Sequence, residues 1–312
     1  MTLPGPVRAP FDFDRAPHDE IALFLAEVAI SAGPAVMEVY ELADGARAKS
    51  DGSPVTLADT RAEAVICDHL ARTIPRVPVV AEELTAGGHR IAPADLFLLV
   101  DPLDGTREFI ARNGEFTINV ALIDKGWPVA GAVYAPALGR LWIGGDEAFV
   151  CDTPVGAGLP DASKRRRIHA RSAPGALIAL ASRSHCDPPT EAFLEALPIA
   201  ERRSRGSSLK FCTIAEGLAD VYPRFGPTME WDTAAGDAVL RAAGGVTLDL
   251  SGAPLAYGKF NSDLRNGSFV AWGDAAAATR LGFVNGPSTQ LDETSAIRAA
   301  KAPGPRPKRA ER

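Results

Sequence analysis

The sequence predicts a layered α/β protein, and three observations carry that prediction. An apolar run at residues 96–100, LFLLV, ends in a carboxylate, as a buried strand does when it stops at the edge of a site. Upstream, apolar side chains recur at helical spacing over two long segments. In the second half, short strand-like runs alternate with helical ones, which is the pattern of stacked α and β layers. At 312 residues the chain can hold one large domain or two moderate ones, with an ample core.

Residues 1–17 are Pro-rich and unpatterned and read as a flexible arm. Over residues 18–43, Ile21, Phe24, Leu25, Val28 and Ala29 fall on one helical face, continued by Val36, Met37 and Tyr40. Gly33-Pro34 should kink or restart this helix, because proline removes a donor and crowds the preceding turn. Residues 44–55 are polar and contain Gly and Pro, so they form a loop. Thr56 and Asp59 resemble a capping box opening a helix to about residue 72, with Ala62, Val65, Ile66 and Leu70 inward. Residues 77–81 form a short strand that runs into Glu82-Glu83. After the central run, residues 116–123, 128–134 and 140–144 read as an antiparallel meander with Gly-containing turns.

Composition shifts to Gly, Pro and a basic run (residues 164–167) across residues 152–168, and the domain boundary is expected there. An N-terminal α+β half (18–160) would thus precede a C-terminal α/β half (161–284), with the basic run a solvated loop. In the second half, residues 177–181, 219–224, 246–250 and 268–271 read as strands. Residues 189–197, 209–218 and 232–243 read as helices. Residues 285–312 lose all pattern. The last fifteen residues hold six Lys/Arg against one Glu in a Pro-rich context, which reads as a disordered basic tail.

Composition excludes several classes. Apolar content of 46% and charged content of 23% suit a soluble globular enzyme, and a net charge of −6 gives no reason to expect nucleic-acid binding. No window reads as an uninterrupted membrane span, and no basic-then-apolar leader opens the chain. The four cysteines, Cys67, Cys151, Cys186 and Cys212, form no CxxC pair, and the five histidines are dispersed. That usage argues against a zinc site and for reduced thiols in a cytoplasmic protein.

The central stretch, DPLDGTREFI, carries the most chemistry. Asp101 and Asp104 flank Pro102 and Leu103, whose stiff turn can aim both acids at one point. Two close carboxylates repel at neutral pH unless a cation or proton lies between them. Hard oxygen ligands on a short turn suit Mg²⁺, and Gly105-Thr106 offers bare N–H groups and a hydroxyl where a helix could begin and attract phosphate. A plain Asp-Pro and Asp-Gly surface turn would explain the same residues. Glu82 or Glu83 could add an acid at the same edge, and local pattern does not rank them. Taken alone, Asp59 reads as a helix cap, and so does Asp232 in Trp231-Asp232. Gly206-Ser207-Ser208-Leu209-Lys210 opens a helix with hydroxyls and one cation, suited equally to a second anion or to a cap with a solvated lysine.

Together these residues resemble the inositol monophosphatase superfamily of metal-dependent, lithium-sensitive phosphatases, and within it the bacterial 3′(2′),5′-bisphosphate nucleotidases of the CysQ type. The resemblance spans about residues 20–273 and rests on DPLDGTREFIARNGEFTINVALI, VYAP, SRSH, GSSLKFC and AEGLADVYPRFGPTMEWDTAAG. It implies an α-β-α-β-α sandwich of the inositol monophosphatase/fructose-1,6-bisphosphatase type, with the active site between the halves. Metal ligands would be Glu82 rather than Glu83, Asp101, the Leu103 carbonyl, Asp104 and Asp232, holding two or three Mg²⁺, and Li⁺ would inhibit the activity. Gly105 and Thr106 would contact phosphate, and Asp59 with Thr106 would prepare the attacking water. Ser207, Ser208, Lys210 and Arg224 would hold a nucleotide bisphosphate. The implied activity removes the 3′-phosphate from 3′-phosphoadenosine 5′-phosphate or 5′-phosphosulfate, in a monomer or homodimer without a membrane partner. Inositol monophosphatase or fructose-1,6-bisphosphatase activity, or metal-dependent nucleotide binding without turnover, are the alternatives.

Overall fold

The computed structural model describes residues 16–42, 47–48, 54–182 and 187–283. The first half opens with α1 (His18–Leu42), the antiparallel pair β1 (Arg47–Ala48) and β2 (Pro54–Val55), and α2 (Leu57–Thr73). There follow β3 (Val79–Ala81), α3 (Glu82–Ala86), β4 (Leu96–Asp104) and α4 (Thr106–Ile110). The meander is β5 (Thr117–Asp124), β6 (Trp127–Ala135), β7 (Arg140–Gly144), β8 (Ala148–Asp152) and β9 (Arg166–Arg167). The second half begins with β10 (Leu177–Ser182), α5 (Pro188–Ala196), β11 (Ile199–Arg205), α6 (Leu209–Ala215) and β12 (Val221–Arg224). It ends with β13 (Thr228–Met229), α7 (Ala234–Ala242), β14 (Val246–Asp249), β15 (Arg265–Asn266), β16 (Phe269–Trp272) and α8 (Ala275–Arg280).

Strands β3 to β9 make a seven-stranded sheet in sequence order, parallel only between β3 and β4. A five-stranded sheet has the order β11-β10-β12-β16-β14, with β10 parallel to both its neighbours. Strand side chains alternate between faces, so β4 sends Leu98 and Val100 one way and Phe97 and Leu99 the other. The first pair meets α1 and α2 through Phe24, Leu25, Ile66 and Leu70. The second meets α6 and α7, whose Phe211, Ile214, Val239 and Leu240 fill the space between the sheets. Beyond the second sheet, Val221, Val270 and Trp272 cover Phe193 and Leu194 of α5 and Ala277 of α8. The layers therefore run helix, sheet, helix, sheet, helix, as predicted. Burying a side chain such as Phe211 contributes roughly 1.5–3 kcal/mol, and the shared middle layer joins the halves into one core.

That layer also positions the site. Helix α7 lies so near the first sheet that a Cβ on Gly144 would fall 2.5 Å from the Cα of Val239. The small residues 234–236 and the bare facing strand permit this approach, which brings Asp232, just before α7, to the rim of the first sheet.

The structure departs from expectation in several places. Helix α1 runs unbroken through Gly33-Pro34: Gly33 is buried against the sheet, where a Cβ would lie 2.7 Å from the Tyr134 ring, and Pro34 is exposed. Proline removes one hydrogen bond there, and packing on the sheet holds the helix across it. By length and composition α1 could cross a membrane, contrary to the sequence reading, yet 61% of its apolar window is buried inside the protein. It is a core helix. Strands β8 and β11 escaped notice. β11 carries Glu201, Arg202, Arg203 and Arg205 along a sheet edge, where charge masks strand character and blocks edge pairing. The basic run is not wholly loop, since Arg166 and Arg167 pair with Val150 and Phe149, although their side chains stay exposed. Residues 1–15, most of the 44–55 loop, residues 183–186 of the SRSH stretch with Cys186, and the basic tail lie outside the described residues.

Candidate active site

The cleft at the end of β4 has two walls. Glu82, Asp101, Leu103, Asp104, Gly105 and Thr106 line one, and Ser207, Lys210, Tyr222, Arg224 and Asp232 line the other. The first wall begins where β4 loses register. Asp101 pairs with Asn119, but Asp104 pairs with Thr117, so the chain bulges through Pro102-Leu103. A bulge re-aims side chains, and here it turns two acids separated by two residues toward the same space. The Leu103 N–H donates to Asp101 Oδ1 at 3.0 Å and holds the turn. Gly105 then caps α4 at φ +93°, in the left-handed region that favours glycine.

Behind Thr106 sits Asp59, 1% exposed. Its Oδ2 accepts from the Thr56 N–H and hydroxyl, both at 2.7 Å, in a complete capping box. Its Oδ1 faces Thr106 Oγ at 3.3 Å. The cap and the cleft thus use different oxygens of one carboxylate. Burial pushes the Asp59 carboxyl up, opposed by the Thr56 hydrogen bonds.

Between the rival glutamates, Glu82 lines the cleft and Glu83 does not. The chain after Glu82 is pinned by Glu63, 5% exposed, which accepts from the N–H groups of Glu83 (2.7 Å) and Leu84 (2.8 Å). Burial raises the Glu63 carboxyl to about 7. Sequence reasoning passed over Glu63, although its position four residues after Asp59 on α2 puts both acids on one helix face.

The acids sense one another across the cleft. Burial, then the charges of Glu82, Asp104 and Asp232, hold the Asp101 carboxyl well above the usual carboxylate range. Burial, then Asp104 and Glu82, raise Asp232 to about 8. Among the described residues, no ion pair within 4 Å neutralises Asp101, Asp104 or Asp232. Two of the cleft's cations, Lys210 and Arg224, turn instead to backbone oxygens. Lys210 donates to the carbonyls of Ser207 (2.7 Å) and Arg205 (3.3 Å), and Arg224 to those of Pro227 (2.9 Å) and Gly226 (3.2 Å). Burial lowers Lys210 to about 8, with the Asp104 charge opposing.

An all-oxygen donor set whose charges repel fits a hard divalent cation. Among the described residues no three His, Cys, Asp or Glu side chains close into a ready-made cage. The acids face one another from two walls, which suits an ion such as Mg²⁺ that keeps several of its waters.

The GSSLK segment divides its labour. Ser207, at φ +53°, lines the cleft and its hydroxyl meets that of Thr117. Ser208 is 1% exposed and faces the wall instead. Asp232 is held by the Met229 N–H, which donates to Oδ2 at 2.8 Å. Next to it, buried Glu230 accepts from the Gly258 and Lys259 N–H groups and from the Lys259 ammonium. Asn119, Tyr222 and Glu230 were also missed, and no local pattern marks them: each matters only through partners distant in sequence. Arg107, next to Thr106, reaches the cleft as well.

The inositol monophosphatase family model matches residues 18–280. The 3′(2′),5′-bisphosphate nucleotidase CysQ of Escherichia coli K12 is 44% identical over 252 residues, covering 79% of this chain and 98% of that protein. The crystal structure of CysQ from Bacteroides thetaiotaomicron, described as a bacterial member of the inositol monophosphatase family, is similar at a TM-score of 0.68 and 39% identity, covering 81% of this chain and 97% of that one. The Thermotoga maritima inositol monophosphatase TM1415 shares the fold at a TM-score of 0.67 and 20% identity, with 90% and 96% covered.

Proposed function

The chain belongs to the inositol monophosphatase family, and from that premise we propose that it is a Mg²⁺-dependent 3′(2′),5′-bisphosphate nucleotidase. Its reaction is removal of the 3′-phosphate from 3′-phosphoadenosine 5′-phosphate or 5′-phosphosulfate, giving AMP or adenosine 5′-phosphosulfate and phosphate. The nucleotidases similar to it support the substrate class. One observation carries the chemistry: Asp232, from the second half, lines the same cleft as Asp101 and Asp104 and is raised to about 8 by burial and by acids of the first half.

In this reading Glu82, Asp101 and the Leu103 carbonyl would hold one Mg²⁺, and Asp101, Asp104 and Asp232 would hold a second. When bound, such ions neutralise the phosphoryl oxygens, acidify a water and stabilise the leaving oxygen. The chain supplies the rest. Gly105 and Thr106 contact the phosphoryl group through N–H donors. The Thr106 hydroxyl donates to Asp59 and so presents a lone pair to the attacking water, fixing it in line with the bond that breaks. The water oxygen bonds to phosphorus and gives up one proton to solvent as the phosphorus–O3′ bond breaks, and the ribose oxygen takes one proton from solvent and leaves as a hydroxyl. Lys210, Arg224 and Ser207 hold the phosphate that is not cleaved, which gives binding energy and register away from the reacting atoms.

The test is a substrate panel. With Mg²⁺, the purified chain should release phosphate from 3′-phosphoadenosine 5′-phosphate with a kcat/KM well above those for inositol 1-phosphate and fructose 1,6-bisphosphate, and Li⁺ should inhibit it. A preference for either sugar phosphate would overturn the substrate assignment. Nucleotide binding with no turnover of any of the three would overturn the enzymatic one.

A further inference from the structure

We infer that Ser208 is a positioning residue that sets the spacing of Asp104 and Asp232 and does not touch the substrate; the inference rests on reading those acids as metal ligands. Ser208 lies at the start of α6 and is 1% exposed. Its N–H donates to Asp104 Oδ2 at 2.7 Å. Its hydroxyl donates to the Asp232 carbonyl at 2.9 Å and accepts from Asn119 Nδ2 at 3.0 Å. Asn119 also reaches Asp104 Oδ2 at 3.4 Å, and its own Oδ1 accepts from Thr117 at 3.0 Å. One serine is therefore bonded to the first wall through Asp104 and Asn119 and to the second through Asp232.

The chemistry of these contacts explains the division of labour between adjacent serines. The Ser208 hydroxyl spends its one proton on Asp232 and a lone pair on Asn119, so it has no proton left to give a ligand. Ser207 is the one that lines the cleft. Acids on separate elements bind an ion well only if their separation is preset, because partners that orient ligands typically change metal affinity by about 10–100-fold when removed. Ser208 is the only residue among those described that is hydrogen-bonded to both Asp104 and Asp232.

Ser208→Ala keeps the backbone bond to Asp104 but frees the Asp232 carbonyl and the Asn119 amide. Asn119→Ala enters the same network from the other wall. Each metal-free variant would be titrated calorimetrically with Mg²⁺ in the absence of nucleotide, with folding checked by circular dichroism and thermal melting. We expect Ser208→Ala to weaken Mg²⁺ binding by about tenfold or more, Asn119→Ala to act in the same direction, and Ser208→Thr, which keeps the hydroxyl, to restore most of the loss. At saturating Mg²⁺ the KM for 3′-phosphoadenosine 5′-phosphate should stay at the wild-type value. Unchanged Mg²⁺ binding in a folded Ser208→Ala or Asn119→Ala chain would overturn the inference, as would a raised KM with Mg²⁺ binding intact. A wild-type chain that binds Mg²⁺ but leaves this nucleotide uncleaved would defeat the proposed activity while the binding comparison still stood.

Discussion

On one wall of the cleft, Asp101, Leu103, Asp104, Gly105 and Thr106 come from a single stretch where β4 bulges and turns into α4. On the other, Ser207, Lys210, Arg224 and Asp232 come from the start of α6, the end of β12 and the turn before α7. The first wall is a local object: a proline, a bulge and a positive-φ glycine aim its acids. The second exists only because α6 and α7 are clamped between two sheets. In the proposed mechanism the first wall does the chemistry and the second completes the metal site and reads the rest of the substrate. The contrast teaches that the reacting end and the recognising end of a site can be specified at different levels of structure.

The strongest way to break that contrast is at Asp101. Asp101→Asn keeps the size of the side chain and removes a charge shared by both proposed ions, and it should lower kcat by at least roughly 10³-fold in a folded chain. Equal phosphate release by this variant would refute the metal assignment.

Lys210→Ala should act on binding instead. Hydrogen bonds to charged groups are worth about 1.5–3 kcal/mol, so KM for 3′-phosphoadenosine 5′-phosphate should rise roughly 10–100-fold with kcat little changed. The same variant should leave 3′-AMP turnover unaffected, because that ligand lacks the second phosphate. If kcat fell alike for both nucleotides, the second wall would belong to the chemistry after all.

A smaller effect should appear with pH. Burial holds Lys210 at about 8, below the ordinary 10.5. Its ammonium is therefore present below pH 8 and lost above it, so KM for the bisphosphate should be flat up to about 8 and then rise. Lys210→Arg, whose guanidinium stays charged, should flatten the profile. A wild-type KM indifferent to pH between 7 and 9 would remove Lys210 from anion binding.

The two walls also differ in how far they could be read beforehand. The Asp101–Thr106 turn announces itself in sequence because the apolar strand, the paired acids and the glycine are contiguous. Asp59 and Asp232 each looked locally like a helix cap. For Asp59 the cap is real, and its second oxygen turns to Thr106 only because β4 lies beside α2. The choice of Glu82 over Glu83 came from family resemblance, and in the fold Glu82 is the one on the cleft. Family resemblance pairs Ser208 with Ser207 as a substrate contact, whereas the fold buries Ser208 inside the wall. Pattern also misjudged α1 at Pro34 and overlooked β11, since packing overrode a helix breaker in one case and edge charge hid a strand in the other.

By itself the sequence determined the fold class, the order of layers and the short turn that gathers two acids, a glycine and a threonine, because each depends on periodicity or on residues within a few positions of one another. Only the tertiary structure decided which face of the cleft Asp232 joins, which glutamate reaches it, and that Ser208 ties Asp104 to Asp232. Those outcomes depend on how far α6 and α7 sink between the sheets, and that depth is set by the combined packing of residues more than a hundred positions apart.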